Sequence, residues 1–459
     1  MKESCRLLQK KSVVKKFKSF FAVLFVSSAV FNSCMTMADL DYSSIDEAVS
    51  QSDYAAVSEI LEKQQKYFYS KRDKVLLYID QGIVKHFASD YEASNKNLSL
   101  AEKEIELNFT KSVTQKIGQA VINDTVADYT GETYEDIYSN IFMCLNYIHL
   151  NKLEDAMVEI RRFDNKMKVI GSEYQDLINQ QKANLKSEYD YSDFDNLDTD
   201  VEFHNSAFAR YLSMLLYRAD NDLYSAQIDY NKIQEAFALQ KSVYDFSMPQ
   251  ELKDELSVPL DKARVNFICY TGRSPIKVED TLRIPFNDAY YKLALPVLKI
   301  FPSHIRAIQV VMTDKYTGIV YKQNLSALEK ISNIVCDTYK QHFGAIYARS
   351  LIRSISKSVT SGVLDAASRE TSDSYLGSIF GILNLFSQVT TEVTERADVR
   401  ICRFFPSVVS VAGISVPDGI YDIKINYYNM KKKIVHTDCI DGFEIKAGKL
   451  NLIESIYQH

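Results

Sequence analysis

Along residues 43–250, apolar side chains recur at intervals of three and four, and polar clusters rather than Gly or Pro mark the breaks. That period predicts a run of amphipathic helices. Four of the breaks share a pattern. Ser52-Asp53-Tyr54, Ser89-Asp90-Tyr91, Asn151-Lys152-Leu153 and Asn221-Asp222-Leu223 each place a polar pair before an aromatic residue or Leu, followed three residues on by Val57, Ser94, Ala156 and Ala226 respectively. Gly82 lies nine residues before Tyr91, and Leu98 and Ala101 lie seven and ten after it. From about residue 257 the period changes. Val265 to Cys269, Ile276 to Glu279, Ala307 to Met312 and Ile319 to Tyr321 are short β-branched runs bounded by turn residues, which predict strands, and residues 325–395 return to helical spacing. Near the end, Tyr421, Ile423, Ile425 and Tyr427 alternate with Asp422, Lys424 and Asn426, the two-residue period of a half-buried strand.

The expected architecture is therefore a multidomain α+β chain. A helical domain over 43–250 precedes a mixed strand-and-helix region over 257–400 and a small antiparallel β-sandwich-like module over 401–459. The four shared turns resemble those of tetratricopeptide repeats, although their spacing is uneven; a non-repetitive helical bundle satisfies the same period.

The first 33 residues have a different character. Seven Lys and Arg side chains and one Glu precede the apolar stretch Phe20 to Phe31. That stretch is shorter than the roughly 20 residues that span a bilayer and suits an export signal. It ends in Phe31-Asn32-Ser33-Cys34, which resembles the lipobox of bacterial lipoproteins, with cleavage between Ser33 and Cys34 and diacylation of Cys34. Residues 1–33 then form the signal peptide and 34–42 an anchor linker. An ordinary cleaved signal and a buried helix are the alternatives. Met35, where an Asp would favour retention in the inner membrane, points to the outer membrane. Removing the six net positive charges of residues 1–33 from a chain of net charge −6 leaves −12, a poor balance for binding nucleic acid. The membrane is thus an expected partner through acyl chains.

Of the remaining cysteines, Cys144, Cys269, Cys336, Cys402 and Cys439 are widely spaced and form neither a disulfide framework nor a C-x-x-C pair. Cys402 with Cys439 is the one candidate bridge; buried apolar thiols are the alternative.

Several segments together resemble a family of bacterial lipoproteins with tetratricopeptide-like repeats. They are Asn140 to Tyr147, Ala156 to Arg162, Ala209 to Leu212, Gly272 to Pro275, Ala397 to Pro406 and Val416 to Asp422. The resemblance implies an envelope lipoprotein without an established activity, associated with other envelope lipoproteins.

Motifs for chemistry are sparse. No phosphate-binding glycine loop and no His spacing for zinc occurs, so no cofactor or metal is expected. Ser354 and Lys357 match S-x-x-K but lack the companion motifs of penicillin-binding enzymes. The acidic stretch 188–202 does not fit an EF-hand register. The best polar constellation is Glu159, Arg162 and Asn165 at i, i+3 and i+6, with Arg161 one turn before Asn165. Arg suits bidentate recognition of carboxylates, so these four are the candidate partner-binding residues, with a solvated Glu-Arg pair as the bland alternative. The expected function is a lipid-anchored periplasmic scaffold holding another envelope protein and supporting cell-wall or outer-membrane assembly. An envelope hydrolase or transferase with an unrecognised site, or a subunit of an export or surface-assembly machine, is the alternative.

Overall fold

Ser52, Ser89, Asn151 and Asn221 adopt left-handed backbone, with φ of 56°, 62°, 56° and 61°. They do so in a computed structural model that describes residues 37–115, 127–167, 203–259, 262–286, 289–340 and 396–459. Each is the hinge of a turn between two helices: α1 (Ser43–Ser50) and α2 (Tyr54–Lys63), α3 (Lys74–Phe87) and α4 (Tyr91–Gln115), α5 (Thr133–His149) and α6 (153–167), α7 (Ala207–Ala219) and α8 (Leu223–Leu239). At each hinge the left-handed residue donates its N–H to the carbonyl three residues back, on Val49, His86, Ile148 and Arg218, at 2.9–3.0 Å. The next residue donates to the carbonyl five back, on Ala48, Lys85, Tyr147 and Tyr217, at 2.8–3.0 Å. This double closure satisfies carbonyls that would otherwise be orphaned at the helix end. The same next residue also starts the following helix. The side chains of Asp53, Asp90 and Asp222 accept from the N–H of Ala56, Ala93 and Ser225 at 2.9, 3.2 and 3.0 Å. Lys152 has no acceptor to offer at the equivalent place. Two residues thus cap one helix and open its partner, and the chain reverses at once. Val57, Ser94, Ala156 and Ala226 are buried in the resulting pairs. Between α3 and α4 the approach requires glycine, because a Cβ at Gly82 would stand 2.5 Å from Leu98 Cδ2.

The strands form two facing four-stranded sheets and a hairpin. An inner sheet has the order β10-β1-β7-β6, an outer sheet the order β5-β4-β8-β9, and β2 pairs with β3 alone. The ranges are β1 Ala263–Arg273, β2 Ile276–Phe286, β3 Ala289–Lys299, β4 Ile305–Asp314, β5 Val320–Asn324, β6 Ser326–Lys330, β7 Pro406–Val416, β8 Gly419–Asn429, β9 Ile434–Ile445 and β10 Asn451–Tyr457. β1 is antiparallel to β7 and parallel to β10, while the outer sheet is antiparallel throughout.

Val265, Phe267 and Cys269 of β1, Ile308, Val310 and Met312 of β4, and Tyr421, Ile423, Ile425 and Tyr427 of β8 fill the space between the sheets. The alternation in β8 therefore faces this core as its two-residue period requires. The other face of β1 carries Tyr270, whose ring lies 5.4, 6.2 and 6.3 Å from those of Phe87, Phe142 and Phe208 on α3, α5 and α7. β1 is buried on both sides because the helices cover one face and the outer sheet the other.

The strands beyond residue 401 do not stand apart from the preceding region. β7 and β10 flank β1, and β8 lies beside β4, so strands from both expected regions share both sheets. Residues 326–330, expected to be helical, form β6 at the edge of the inner sheet, and the helical spacing begins at 331 with α9 (331–340). A register shift between Ala327 and Glu329 breaks the pairing of β6 with β7, the kind of bulge that re-aims a side chain. Cys402 is buried and Cys439 exposed, both as free thiols, so the candidate bridge does not form. The signal and Cys34, the acidic stretch 188–202, and Ser354 with Lys357 lie outside the described residues. Tyr42–His459 forms one unit separate from Met1–Asp41, and no helix among the described residues is long and apolar enough to cross a membrane.

The left-handed hinge strains a side chain with a Cβ, and the Ser52 hydroxyl is shielded from solvent with no partner among the described residues. Ser52→Gly is expected to stabilise the fold by about 0.5–1 kcal/mol, the relief of strain exceeding the entropy added to the unfolded chain. A urea midpoint at or below that of the wild type contradicts this.

Candidate functional site

Of the four residues expected to form a binding face, the structure splits one from the rest. Glu159 is 4% exposed and turns into the helical layer, where Asn140 Nδ2 donates to its Oε2 at 2.8 Å. Arg162 reaches both Glu159 and Glu102 at 3.3 Å, and Lys166 reaches Glu102 at 2.8 Å and Asp136 at 2.7 Å. Burial acts to raise the Glu102 carboxyl, but Lys166 and Arg162 hold it below its ordinary value. This network ties α4, α5 and α6 together. Arg161, Arg162 and Asn165 are exposed on the outer side of α6.

The densest polar chemistry lies where the helices meet the inner sheet. Glu454 on β10 accepts a hydrogen bond from Tyr270 and faces His149 Nε2 at 2.5 Å and His86 Nε2 at 3.4 Å. Both histidines stand in the last turns of their helices, α5 and α3. His86 Nδ1 lies 2.7 Å from Asn146 Oδ1, and Asn146 in turn donates to Ser94 Oγ at 2.8 Å and Asn95 Oδ1 at 2.9 Å. The His149 ring is stacked on Tyr91 at 4.4 Å. Burial works to raise the Glu454 carboxyl, but His86 and His149 outweigh it and hold the group far below the usual carboxylate range. A carboxylate that orients an imidazole is half of an acid–base device. Yet both nitrogens of His86 are engaged within the fold, and no serine or cysteine nucleophile stands among the contacts of His149 given by the described residues.

Three further carboxylates lie along the same seam. Glu329, aimed inward beside the bulge in β6, accepts from Tyr138 Oη, from Ser206 Oγ at 2.9 Å, from Tyr244 Oη at 2.6 Å and from the Phe208 N–H at 3.1 Å. It meets three hydroxyls and the start of α7, and burial pushes its carboxyl upward. Glu135 on α5 holds the extended stretch 396–405. Its Oε1 accepts from the Cys402 N–H at 2.6 Å, and its Oε2 accepts from Tyr129 Oη at 2.8 Å and the Glu132 N–H at 2.9 Å. Asp80 accepts from Tyr69 at 2.7 Å and from the Arg403 N–H at 3.4 Å on the same stretch. Arg400 is clamped by Asp398 at 2.7 Å and Asp73 at 3.3 Å. Burial, aided by Glu132, pushes Glu135 up to about 7, and burial pushes Asp80 up to about 6. Burial also raises the thiol of Cys402 well above its ordinary value, with Asp80 and Glu135 adding to it, so it is no nucleophile at neutral pH.

Ser455, Asp438 and His436 assemble residue types of a hydrolytic triad in another order. Asp438 sits between the Ser455 hydroxyl and His436 Nε2, the latter at 2.8 Å. Activation of a serine requires the imidazole in the middle, so here the proton of Ser455 points at a carboxylate that already holds His436.

No protein-family model, curated protein or solved structure matches this chain.

His86, His149 and Glu454 escape any reading by spacing because they lie 63 and 305 residues apart. The available signal is weaker: polar Asn140 and Asn146 interrupt the otherwise apolar run of α5, and a buried Asn demands partners. Glu454→Gln leaves two imidazoles facing a neutral group and is expected to cost about 3 kcal/mol of stability, as for other broken buried pairs; a loss below about 1 kcal/mol in urea unfolding contradicts the bracing role. Glu135 and Asp80 have folded pKa values above their ordinary ones, so the stability they contribute is complete below about pH 4 and falls as pH rises toward 7. The part belonging to Glu135 is on the order of 3 kcal/mol, and Glu135→Gln is expected to flatten the curve of stability against pH over that window.

Proposed function

We propose that this protein is a lipid-anchored envelope protein, held in the outer membrane through acyl chains on Cys34 and facing the periplasm. In this reading its tetratricopeptide-like helices hold another envelope protein in support of cell-wall or outer-membrane assembly. The observation that carries the binding role is the recurrence of one hinge geometry at four helix pairs. A chain that repeats a helix–turn–helix unit builds an extended helical surface, the form that solenoid proteins use for partners. The disposition of α6 supports the same reading. Glu159 anchors the helix internally, which leaves Arg161, Arg162 and Asn165 outward on a fixed support, and Arg is the cation suited to an acidic partner surface. The buried carboxylates are answered by donors of the chain itself, a pattern of bracing rather than of turnover. The anchor rests on the sequence Ser33-Cys34 after a basic and apolar N-terminus.

Crosslinking in intact cells, followed by purification from solubilised membranes and mass spectrometry, tests both halves. Cys34→Ala is expected to abolish acyl labelling and release the protein from membranes. A defined envelope protein is expected to accompany the anchored form and to be recovered about tenfold less with Arg161→Glu. Labelling that persists without Cys34 refutes the anchor. A folded, anchored protein that brings no partner refutes the scaffold and moves attention to catalysis at His149 and Glu454.

A further inference from the structure

At one end of the outer sheet, the turn between β8 and β9 carries Asn429-Met-Lys-Lys-Lys-Ile-Val435. Met430 is 64% exposed, Ile434 53% and Val435 43%, and Lys431, Lys432 and Lys433 are exposed between them. The turn is rigidly built. Asn429 Oδ1 accepts from the N–H of Lys431 at 2.9 Å and of Lys433 at 3.0 Å, while its carbonyl accepts from Lys432 at 2.9 Å and its N–H donates to the Lys433 carbonyl at 2.9 Å. The N–H groups of Asn429, Lys431, Lys432 and Lys433 are thereby satisfied within the tip, and its exposed side chains are three ammonium groups flanked by aliphatic groups. Among the described residues these lysines make no ion pair. Ile305 pairs opposite Asn429, so the exposed His304 and Arg306 lie at the same end and add to its basic character.

We propose that this hairpin tip is a second, protein-borne contact with an anionic lipid bilayer. Charge complementarity selects the occupant. A phosphate-rich bilayer surface meets the lysines, and the acyl boundary just beneath it receives Met430, Ile434 and Val435, a pairing that neither water nor a nucleic acid rewards. Surfaces that bind single-stranded nucleic acid stack bases on aromatic rings, and residues 429–435 include none. Protection of an edge strand also falls short as an account. That device spreads charge along the strand, whereas here the lysines occupy the turn and the first two residues of the edge strand β9 are exposed Ile and Val. The chain as a whole is acidic, so the attraction is local to the tip and effective within about a Debye length. The inference does not depend on acylation at Cys34.

The test uses a nitroxide in place of Met430 (Met430→Cys, with Cys5→Ser, Cys34→Ser, Cys336→Ser and Cys439→Ser) on the full-length chain reconstituted into vesicles. Its accessibility to oxygen and to a polar nickel reagent is compared in phosphatidylcholine and in an equal mixture of phosphatidylcholine and phosphatidylglycerol. A second label replaces Tyr316, on a turn at the opposite end of the sheet. Because the readout is local, an N-terminal segment that itself binds lipid does not produce it. The expected result is an oxygen-rich, nickel-protected label at 430 in the anionic vesicles alone, an aqueous label at 316 in both, and loss of protection at 430 in high salt. Lys431→Gln, Lys432→Gln and Lys433→Gln together are expected to weaken the local contact roughly a hundredfold, at about fivefold per lysine. An aqueous label at 430 in both vesicles overturns the proposal, as does equal protection in neutral lipid or at both labelled sites. Protection by duplex DNA without lipid assigns the tip to nucleic acid and overturns it as well.

Discussion

A carboxylate removed from water must be met by donors or by a cation, because its desolvation otherwise outweighs what its burial allows. The contact between helices and inner sheet in this protein is organised by that requirement. Glu454 and Glu329 come from the sheet and are answered largely from the helices; Glu135 and Asp80 come from the helices and answer the backbone of 402–403. The 3₁₀ turn Gln250–Leu256 adds Glu255, whose Oε1 accepts from Arg264 Nε at 2.9 Å and Asn266 Nδ2 at 2.9 Å and which also pairs with Arg218. Gly413 lies so close that a Cβ there would stand 2.3 Å from the same oxygen. Apolar packing could slide by a residue at modest cost, but these bonds cannot, so they set the register of one layer on the other.

The answers differ in kind, and the difference shows in the protonation of each group. Glu454 meets two imidazoles and is held strongly acidic, whereas Glu329 meets hydroxyls and a helix start and is pushed upward. Asp80 and Glu135 are likewise pushed upward by burial, to about 6 and about 7. A buried acid lacking a cation favours its proton, and one facing cations releases it. The seam is thus a set of braces of two kinds, one acid facing cations and three pushed toward their protons. Histidine, serine and carboxylate occur together in it and in the neighbouring cluster of Ser455, but their order serves hydrogen bonding within the fold.

Within the helical layer the repeated hinge sets how each pair of helices is joined. Because one residue caps the first helix and the next opens the second, each pair is fixed by two residues, and its buried small or β-branched partner three positions into the second helix fixes how closely they cross. The interior is consumed in holding layers together. Exposed Arg161, Arg162 and Asn165 and the basic hairpin tip are chemically outward-facing in a way that the seam is not.

The helical hinges were legible in the chain because they are local: a polar pair and a small residue at fixed offsets define both caps and the crossing, and the structure places all four in one geometry. The alternation of Tyr421, Ile423, Ile425 and Tyr427 was legible for the same reason, since a strand's period is written in neighbouring residues. Strand partnership was not. Nothing near Ala263 announces that its strand runs parallel to one almost two hundred residues later, and residues 326–330 read as helix until an inner-sheet edge claimed them. The same limit applies to chemistry. Glu159 and Arg162 stood out by spacing along one helix, but which of them turned inward depended on Asn140 and Glu102 of other helices. His86, His149 and Glu454 carry no mutual spacing at all, and only the layering of helix on sheet brought them within reach. Sequence by itself determined the local periods, the caps and the character of the N-terminus; tertiary structure decided which distant groups share a buried charge, because that cost is set by three-dimensional proximity and not by order along the chain.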